Sequence, residues 1–241
     1  MSLETVLREK LSTCTRILAM QQLIGLFGHI SAFDPESGRV YFSPGMGSDK
    51  ASIAADNILV GDLNGPVAAG GQRLPAEWPI HTALHGRRKD ALAVAHLHSP
   101  FATLFAVQDT AFRPLTLQGS VFAGGMPLFT EPHLVTTPAQ GERLADLVGD
   151  RPGAFMRGHG IVVVARDVEQ MLFAALILED EAKKAVQAAP LGPLHCLSDA
   201  DCQAFGGIKE FPGRAQRCWN YYAALEKRWD KTPGTGCVPF V

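Results

Sequence analysis

The sequence predicts an α/β fold, and three observations carry that prediction. Helical apolar spacing marks the first two dozen residues and the stretch 167–188, with Leu3, Val6, Leu7, Leu11, Ile17 and Leu18 on one face of the former. Short apolar runs separated by turn residues follow the first helix, in the manner of a strand meander. Two further runs, Ala91–Leu97 and Ile161–Ala165, are continuous and apolar enough to be buried strands. At 241 residues the chain has the length of one large domain, 1–241, able to bury a substantial core.

Each element has a local reason. Ser2 is placed to cap the first helix, which runs to about Ile24 and ends at Gly25. Ile30–Phe33, Arg39–Phe42 and Ile58–Gly61 read as strands, the first two separated by the turn Asp34-Pro35-Glu36-Ser37-Gly38. A helix starts near Pro79, where a missing donor costs little, and reaches about Arg87. After the strand 91–97, Ser99-Pro100 predicts a cap and first turn of a helix through Ala106. Residues 111–140 are rich in Pro and Gly and read as extended pieces. A helix over about Ala139–Val148 leads to a strand at Ala154–Met156, a Gly158-His159-Gly160 turn and the strand 161–165. The next helix opens at Asp167, with Gln170 as capping-box partner, and Pro190 and Pro193 close it. Beyond Leu194 the pattern is less regular, with Trp219-Asn220-Tyr221-Tyr222 on a helix, and 190–241 reads as a tail able to cover a site.

Composition removes several classes of function. Apolar residues are 46% and charged residues 19%, with a net charge of -2 and scattered Lys and Arg. Without a basic stripe or a Cys/His finger, a nucleic-acid partner is not expected. No apolar run approaches the roughly 20 residues of a membrane span, and the charged N-terminus lacks a signal-peptide pattern. Five cysteines (Cys14, Cys196, Cys202, Cys218, Cys237) without CxxC spacing read as reduced thiols, so the cytoplasm is the expected compartment. GxGxxG, Walker A and GxSxG motifs are missing, which gives no support to nucleotide binding or serine hydrolysis.

The chemistry gathers on histidines. His96 and His98 stand two apart at the exit of a strand, so both imidazoles reach one side of it. His159 lies between two glycines that let the backbone approach a ligand closely. Three neutral nitrogens with one open position are the usual protein share of a catalytic divalent metal site. Glu77 in Pro75-Ala76-Glu77-Trp78-Pro79 is either an exposed carboxylate at a helix start or a general acid/base or displaceable ligand. His81 and His85, one helical turn apart, form a second and weaker metal pair, or polar helix residues, or an anion site. The turns Ser43-Pro44-Gly45-Met46-Gly47 and Phe27-Gly28-His29-Ile30-Ser31 could offer backbone N–H groups to an anion, although two surface turns are the simpler reading. Gly124-Gly125 reads as a turn and Glu179-Asp180-Glu181 as a solvated helix face.

Taken in order, these motifs resemble the class II aldolase/adducin family across residues 5–190. The carriers are Gly28-His29-Ile30-Ser31, Ser43-Pro44-Gly45, Glu77-Trp78, His96-Leu97-His98 and Gly158-His159-Gly160. The resemblance implies a three-layer α/β/α domain with a central, mainly antiparallel sheet, and a four-fold symmetric homotetramer with active sites between subunits. It implies one divalent metal ion per subunit (Zn, Mn, Co or Fe) on His96, His98 and His159, with Glu77 as the carboxylate that occupies the empty site and shuttles a proton. That ion would stabilise an enolate-type product of carbon–carbon cleavage. Ser31, Ser43, Gly45 and Gln118 fall at substrate-binding positions, Gln118 near the place of a family tyrosine.

The departures narrow the substrate. Sugar-phosphate aldolases of the family hold phosphate with an Asn, a Thr-Gly turn and two serines before the Glu. Here those places carry His29, Ser43-Pro44-Gly45 and Pro75-Ala76. A site without those donors argues against a phosphorylated substrate. The Gly-His-x-Ser turn and His81 are similar to the branch that decarboxylates hydroxylated aromatic dicarboxylates, making His29, His81 and Glu77 candidates for carboxylate binding and protonation. A metal-dependent decarboxylase of a small carboxylate is therefore the leading expectation. An aldolase comes second, an adducin-like interaction module third, and an iron-dependent oxygenase remains open because ligand type does not fix the metal.

Overall fold

The structure, a computed structural model, describes residues 1–66, 73–108, 110–205 and 211–229. Eight strands form one sheet: β1 (His29–Asp34), β2 (Arg39–Phe42), β3 (Leu59–Asp62), β4 (Gly65–Pro66), β5 (Ala93–Leu97), β6 (Leu128–Phe129), β7 (Gly153–Met156) and β8 (Gly160–Ala165). Their order is β4-β3-β2-β1-β5-β8-β7-β6, antiparallel at every step except the parallel β6–β7 pair. Six α-helices accompany it: α1 (Leu3–Met20), α2 (Trp78–Arg87), α3 (Pro138–Val148), α4 (Val168–Ala188), α5 (Asp199–Ala204) and α6 (Phe211–Trp229).

Strand alternation sorts the core into two sides. Ile30 and Ala32 of β1, Ala93, Ala95 and Leu97 of β5, and Ile161, Val163 and Ala165 of β8 pack with α1 and α4 in the larger core. The intervening Val94, Val162 and Val164 face Ile80 and Leu84 of α2 and Leu144, Ala145 and Val148 of α3. Helices therefore cover both faces, the α/β/α layering expected from the resemblance. His29, Ser31 and His96 occupy the α2 side by the same alternation, because β1 and β5 pair His29 directly opposite His96.

The helix starts follow from their caps. Ser2 Oγ accepts from Thr5 N at 3.2 Å, and the Asp167 carboxylate accepts from Gln170 N at 2.7 Å. α3 begins on a Thr137–Gln140 capping box with Pro138 in its first turn. α4 is buried on nearly every side, as befits a helix under the sheet, and α6 lies against it and against α1. Arg16 of α1 donates to Glu226 of α6 at 2.5 Å, pinning the two together.

Three expectations are corrected. α1 ends at Met20, not Ile24, because Gln22 takes the left-handed backbone conformation (φ 61) that Gly25 was expected to supply. Ser99-Pro100 opens no α-helix; only a 3₁₀ segment, Ala102–Ala106, forms there. Glu179 and Glu181 are buried rather than solvated, and each acts as a cap across the fold. The Glu179 carboxylate accepts from Phe101 N and Ala102 N, both at 2.8–3.1 Å. Glu181 accepts from Leu115 N at 2.6 Å, from Thr116 N at 3.1 Å and from the Thr116 hydroxyl. Glu181→Ala strands these donors in the interior, so it should cost about 3 kcal/mol, read as a lowered urea midpoint with an unchanged m-value.

The described part of the tail does not reach the histidines. α6 packs on α4 and α1, on the other side of the sheet from α2. Residues 230–241, Cys237 included, lie outside the described residues. No described helix is long and apolar enough to cross a membrane.

Candidate metal centre

His96 is the last-but-one residue of β5, His98 lies just beyond the strand, and His159 sits in the hairpin between β7 and β8. Two glycines bring His159 in. Gly158 adopts φ +64, and a Cβ on Gly160 would lie 2.4 Å from the Leu97 carbonyl oxygen, so only glycine allows this close approach. The three rings meet mutually edge to face, with centroids 4.8 Å (His96–His159), 4.9 Å (His98–His159) and 4.9 Å (His96–His98) apart.

Glu77, at the N-cap of α2, completes the group. Its Oε1 accepts from Val135 N at 3.0 Å, which leaves Oε2 facing His96 Nε2 at 3.3 Å and His159 Nε2 at 3.4 Å. Burial raises its pKa, but the facing His159 and His96 imidazoles more than offset this and hold it well below the usual carboxylate range. Glu77 is therefore the ionised carboxylate of the cluster. Its expected alternative, an exposed carboxylate, is excluded by its 8% exposure.

The nitrogens fit a metal ion. His96 Nδ1 donates to the Ile161 carbonyl at 3.1 Å, which turns its Nε2 toward His98 Nε2, 3.1 Å away. His159 is buried at both ring nitrogens, and neither has a hydrogen-bond partner. Its 3.4 Å approach to the Glu77 carboxylate falls short of hydrogen-bond alignment. Buried polar atoms are seldom left unpaired, and a cation among these three imidazoles would engage one nitrogen of each ring, His159 included. His96, His98 and His159 each offer a ligand atom within 4.8 Å of the others, and so do His29, Glu77 and His96. Burial lowers the His98 pKa to about 4, so its ring is neutral and able to ligate.

Behind this centre, α2 lays the stripe Glu77, His81, His85 (spacing i, i+4, i+8) over the stripe His29, Ser31, Phe33 of β1. His81 has no exposed surface, and both ring nitrogens are engaged: Nε2 with His29 Nδ1 at 2.7 Å and Nδ1 with Ser31 Oγ at 2.6 Å. Ser31 Oγ also meets His85 Nε2 at 2.8 Å, and His85 Nδ1 donates to the Ala91 carbonyl. His81 and Ser31, expected at the substrate, bond to each other one layer behind the Glu77 and His96 side chains, and His85 bonds with Ser31. Only His29 of this group borders Glu77 and His96.

The remaining expected residues have other partners. Ser43 is fully buried and its hydroxyl accepts from Ile30 N at 2.9 Å. Gly45 packs against Pro75, where a Cβ would come within 3.2 Å of Pro75 Cα. Gln118 is exposed on a 3₁₀ segment (Leu117–Phe122) that packs on α4 and α5, away from these histidines. Lys50 was not anticipated. Its ammonium is buried, donates to the Pro44 carbonyl, the Gly45 carbonyl (2.7 Å) and Ser48 Oγ (2.9 Å), and burial lowers its pKa to about 8. A lone lysine in a loop gives no sequence signal of such a role.

The buried histidines set an acid limit. Burial outweighs the Ala91 hydrogen bond and lowers the His85 pKa from 6.5 to about 4. The unfolded chain then binds the extra proton first as pH falls, so this contribution is complete above pH 6.5 and is lost down to about pH 4. It amounts to roughly 3 kcal/mol. In urea titrations of metal-free protein, the fall in stability between pH 6.5 and 4.5 should be smaller by about one proton in His85→Gln.

The fold is that of the class II aldolases, and the His96, His98 and His159 cluster beside Glu77 could hold a metal ion. The sequence profile of the class II aldolase and adducin N-terminal domain matches residues 9–186, and the chain belongs to this family. It is 31% identical over 207 residues to the 3,4-dihydroxyphthalate decarboxylase of Arthrobacter keyseri, covering 80% of this chain and 84% of that one. It is 23% identical over 179 residues to the L-fuculose phosphate aldolase of Methanocaldococcus jannaschii, covering 73% and 93%. An aldolase II superfamily protein from Pseudomonas syringae shares its fold, with a TM-score of 0.82 at 23% identity over 95% of each chain. The similar proteins thus include a decarboxylase and an aldolase, and L-ribulose-5-phosphate 4-epimerases of Salmonella are 28% identical over 180 residues.

Proposed function

We propose that this protein is a divalent-metal-dependent lyase that decarboxylates a non-phosphorylated hydroxy-carboxylate, with hydroxylated aromatic acids foremost. His96, His98 and His159 would hold one ion (Zn, Mn, Co or Fe), and Glu77 is the group a substrate displaces. When bound, the ion supplies Lewis-acid stabilisation of the negative charge that develops on substrate oxygen.

The observation that carries the choice of substrate is the wall formed by the Ser43–Gly45 turn and Pro75. Two groups there could grip a phosphate, and both are engaged: Ser43 accepts from Ile30 N, and Lys50 donates to Pro44, Gly45 and Ser48. Pro44 and Pro75 lack an N–H, and Ala76 has no polar side-chain atom. A carboxylate needs fewer donors than a phosphate and suits this wall better. The 31% identity to a 3,4-dihydroxyphthalate decarboxylase supports the same substrate class.

Glu77 moves the proton. Its Oε2 takes the proton of a substrate hydroxyl while Oε1 stays tied to Val135 N–H. The bond to the departing carboxylate breaks, carbon dioxide leaves, and the electron pair stays on the substrate carbon. Glu77 then returns the proton to that carbon. His29 meets the ligand beside Glu77, with His81 holding it from behind.

Leu26, Phe27, Met46 and Leu134 stand exposed on segments adjoining the site, which suits burial against a second copy. The proposed assembly is a cytoplasmic homotetramer with sites at its interfaces, where Gln118 of another copy would reach substrate. Retro-aldol cleavage is the second reading, supported by the aldolase relative. The test supplies metal-reconstituted protein with 3,4-dihydroxyphthalate, other hydroxy-dicarboxylates and 2-hydroxy or 2-keto acids, without oxygen. Carbon dioxide without aldehyde is the expected result; aldehyde without carbon dioxide assigns the aldolase reading, and turnover that appears only when oxygen is admitted assigns an oxygenase.

A further inference from the structure

Four hydrogen bonds run in series from the metal centre into the α2–β1 interface, through His29, His81, Ser31 and His85 to the Ala91 carbonyl. We propose that Ser31 and His85 are positioning residues that fix the tautomer of His29, so that His29 offers its Nε2 as an acceptor and recognises a hydroxyl of the ligand rather than a carboxylate.

The direction of the series follows from its closed end. A carbonyl oxygen only accepts, so His85 Nδ1 carries a proton. His85 is 3% exposed and neutral, so its Nε2 must accept, and the partner that donates is the Ser31 hydroxyl. A hydroxyl has one proton, and with it committed to His85, Ser31 Oγ can only accept from His81 Nδ1–H. His81, fully buried, therefore keeps a bare Nε2, and His29 Nδ1 must donate to it. The single proton of neutral His29 is then on Nδ1, and Nε2 is a lone pair. The three rings form one dry layer, with His29 5%, His81 0% and His85 3% exposed, where burial favours the uncharged imidazole.

The consequence is a specificity. A lone pair beside ionised Glu77 repels a carboxylate and accepts from O–H. Without the relay, His29 could flip to carry its proton on Nε2 and present a donor instead. The Ala91 carbonyl, far from any ligand, thus decides which kind of group fits next to the metal. The ligand part of this inference rests on the decarboxylase reading of the site; the tautomer part does not.

The test separates the two. In ¹⁵N-labelled, metal-free protein, long-range proton–nitrogen correlation shows which ring nitrogen carries the proton. The expected wild-type spectrum has Nδ1 protonated and Nε2 bare in His29, His81 and His85 alike. Ser31→Ala should shift the ring nitrogens of His81 and His29 toward a mixture of tautomers, and Ser31→Thr should restore them. A proton on His29 Nε2 in the wild type overturns the proposal without reference to any variant or activity. Calorimetry on zinc-loaded protein then uses catechol as a hydroxyl probe and phthalate as a carboxylate probe. Ser31→Ala should weaken catechol binding about tenfold, the worth of one hydrogen bond, and leave phthalate unchanged. Equal weakening of both would overturn the hydroxyl assignment.

Discussion

Glu77→Gln is expected to lower turnover about a thousandfold while the protein stays folded, which is the middle of the range for losing a positioned general acid/base. The amide keeps the shape of the side chain and an oxygen for the Val135 N–H, so α2 and the 131–137 segment should hold their places. What the amide lacks is a site that can take a proton from substrate and return it. It also replaces the negative oxygen between His96 and His159 with a neutral group. Circular dichroism and the thermal midpoint check the fold, and initial rates under saturating substrate check turnover. Turnover within a few-fold of wild type would remove Glu77 from the chemistry.

His98→Ala should reduce bound metal from about one ion per chain to less than a tenth of that. His98 lies past the end of β5, only partly buried, so its loss disturbs little packing. The remaining His96 and His159 still converge, but two imidazoles hold a divalent ion far less firmly than three. Changes to outer-shell partners alone cost about 10–100-fold in affinity, so loss of a direct ligand should exceed that. Metal analysis after dialysis against a weak chelator reads the result. Metal content equal to wild type would place the ion elsewhere.

Much of the site was legible because short-range periodicity creates it. The two-residue spacing of His96 and His98 survives folding, although His98 falls just outside the strand, and the glycines around His159 serve a left-handed turn and a close approach to the Leu97 carbonyl, where their presence had suggested an approach to a ligand. Strand positions were legible for the same reason: alternation in β1, β5 and β8 is imposed by a sheet covered on both faces. What the sequence hid depends on partners far along the chain. Ser31 meets His81 and His85 across 50 and 54 residues, and no local pattern announces that contact. Glu179 and Glu181 look like charges on a solvated helix face, yet they cap backbone amides some 65 to 78 residues away. Gln22 shows the opposite limit, a local rule overridden: glycine three residues later is the better left-handed residue, but packing of Leu23 and Ile24 ends the helix first.

The most direct measurement of the central claim is carbon dioxide release from a dihydroxylated aromatic dicarboxylate, without oxygen, by one preparation in three states: as isolated, stripped of metal, and reconstituted. The predicted result is release that disappears on stripping and returns in proportion to metal bound, one ion per chain at the plateau. Release that persists undiminished in fully stripped protein would contradict the account.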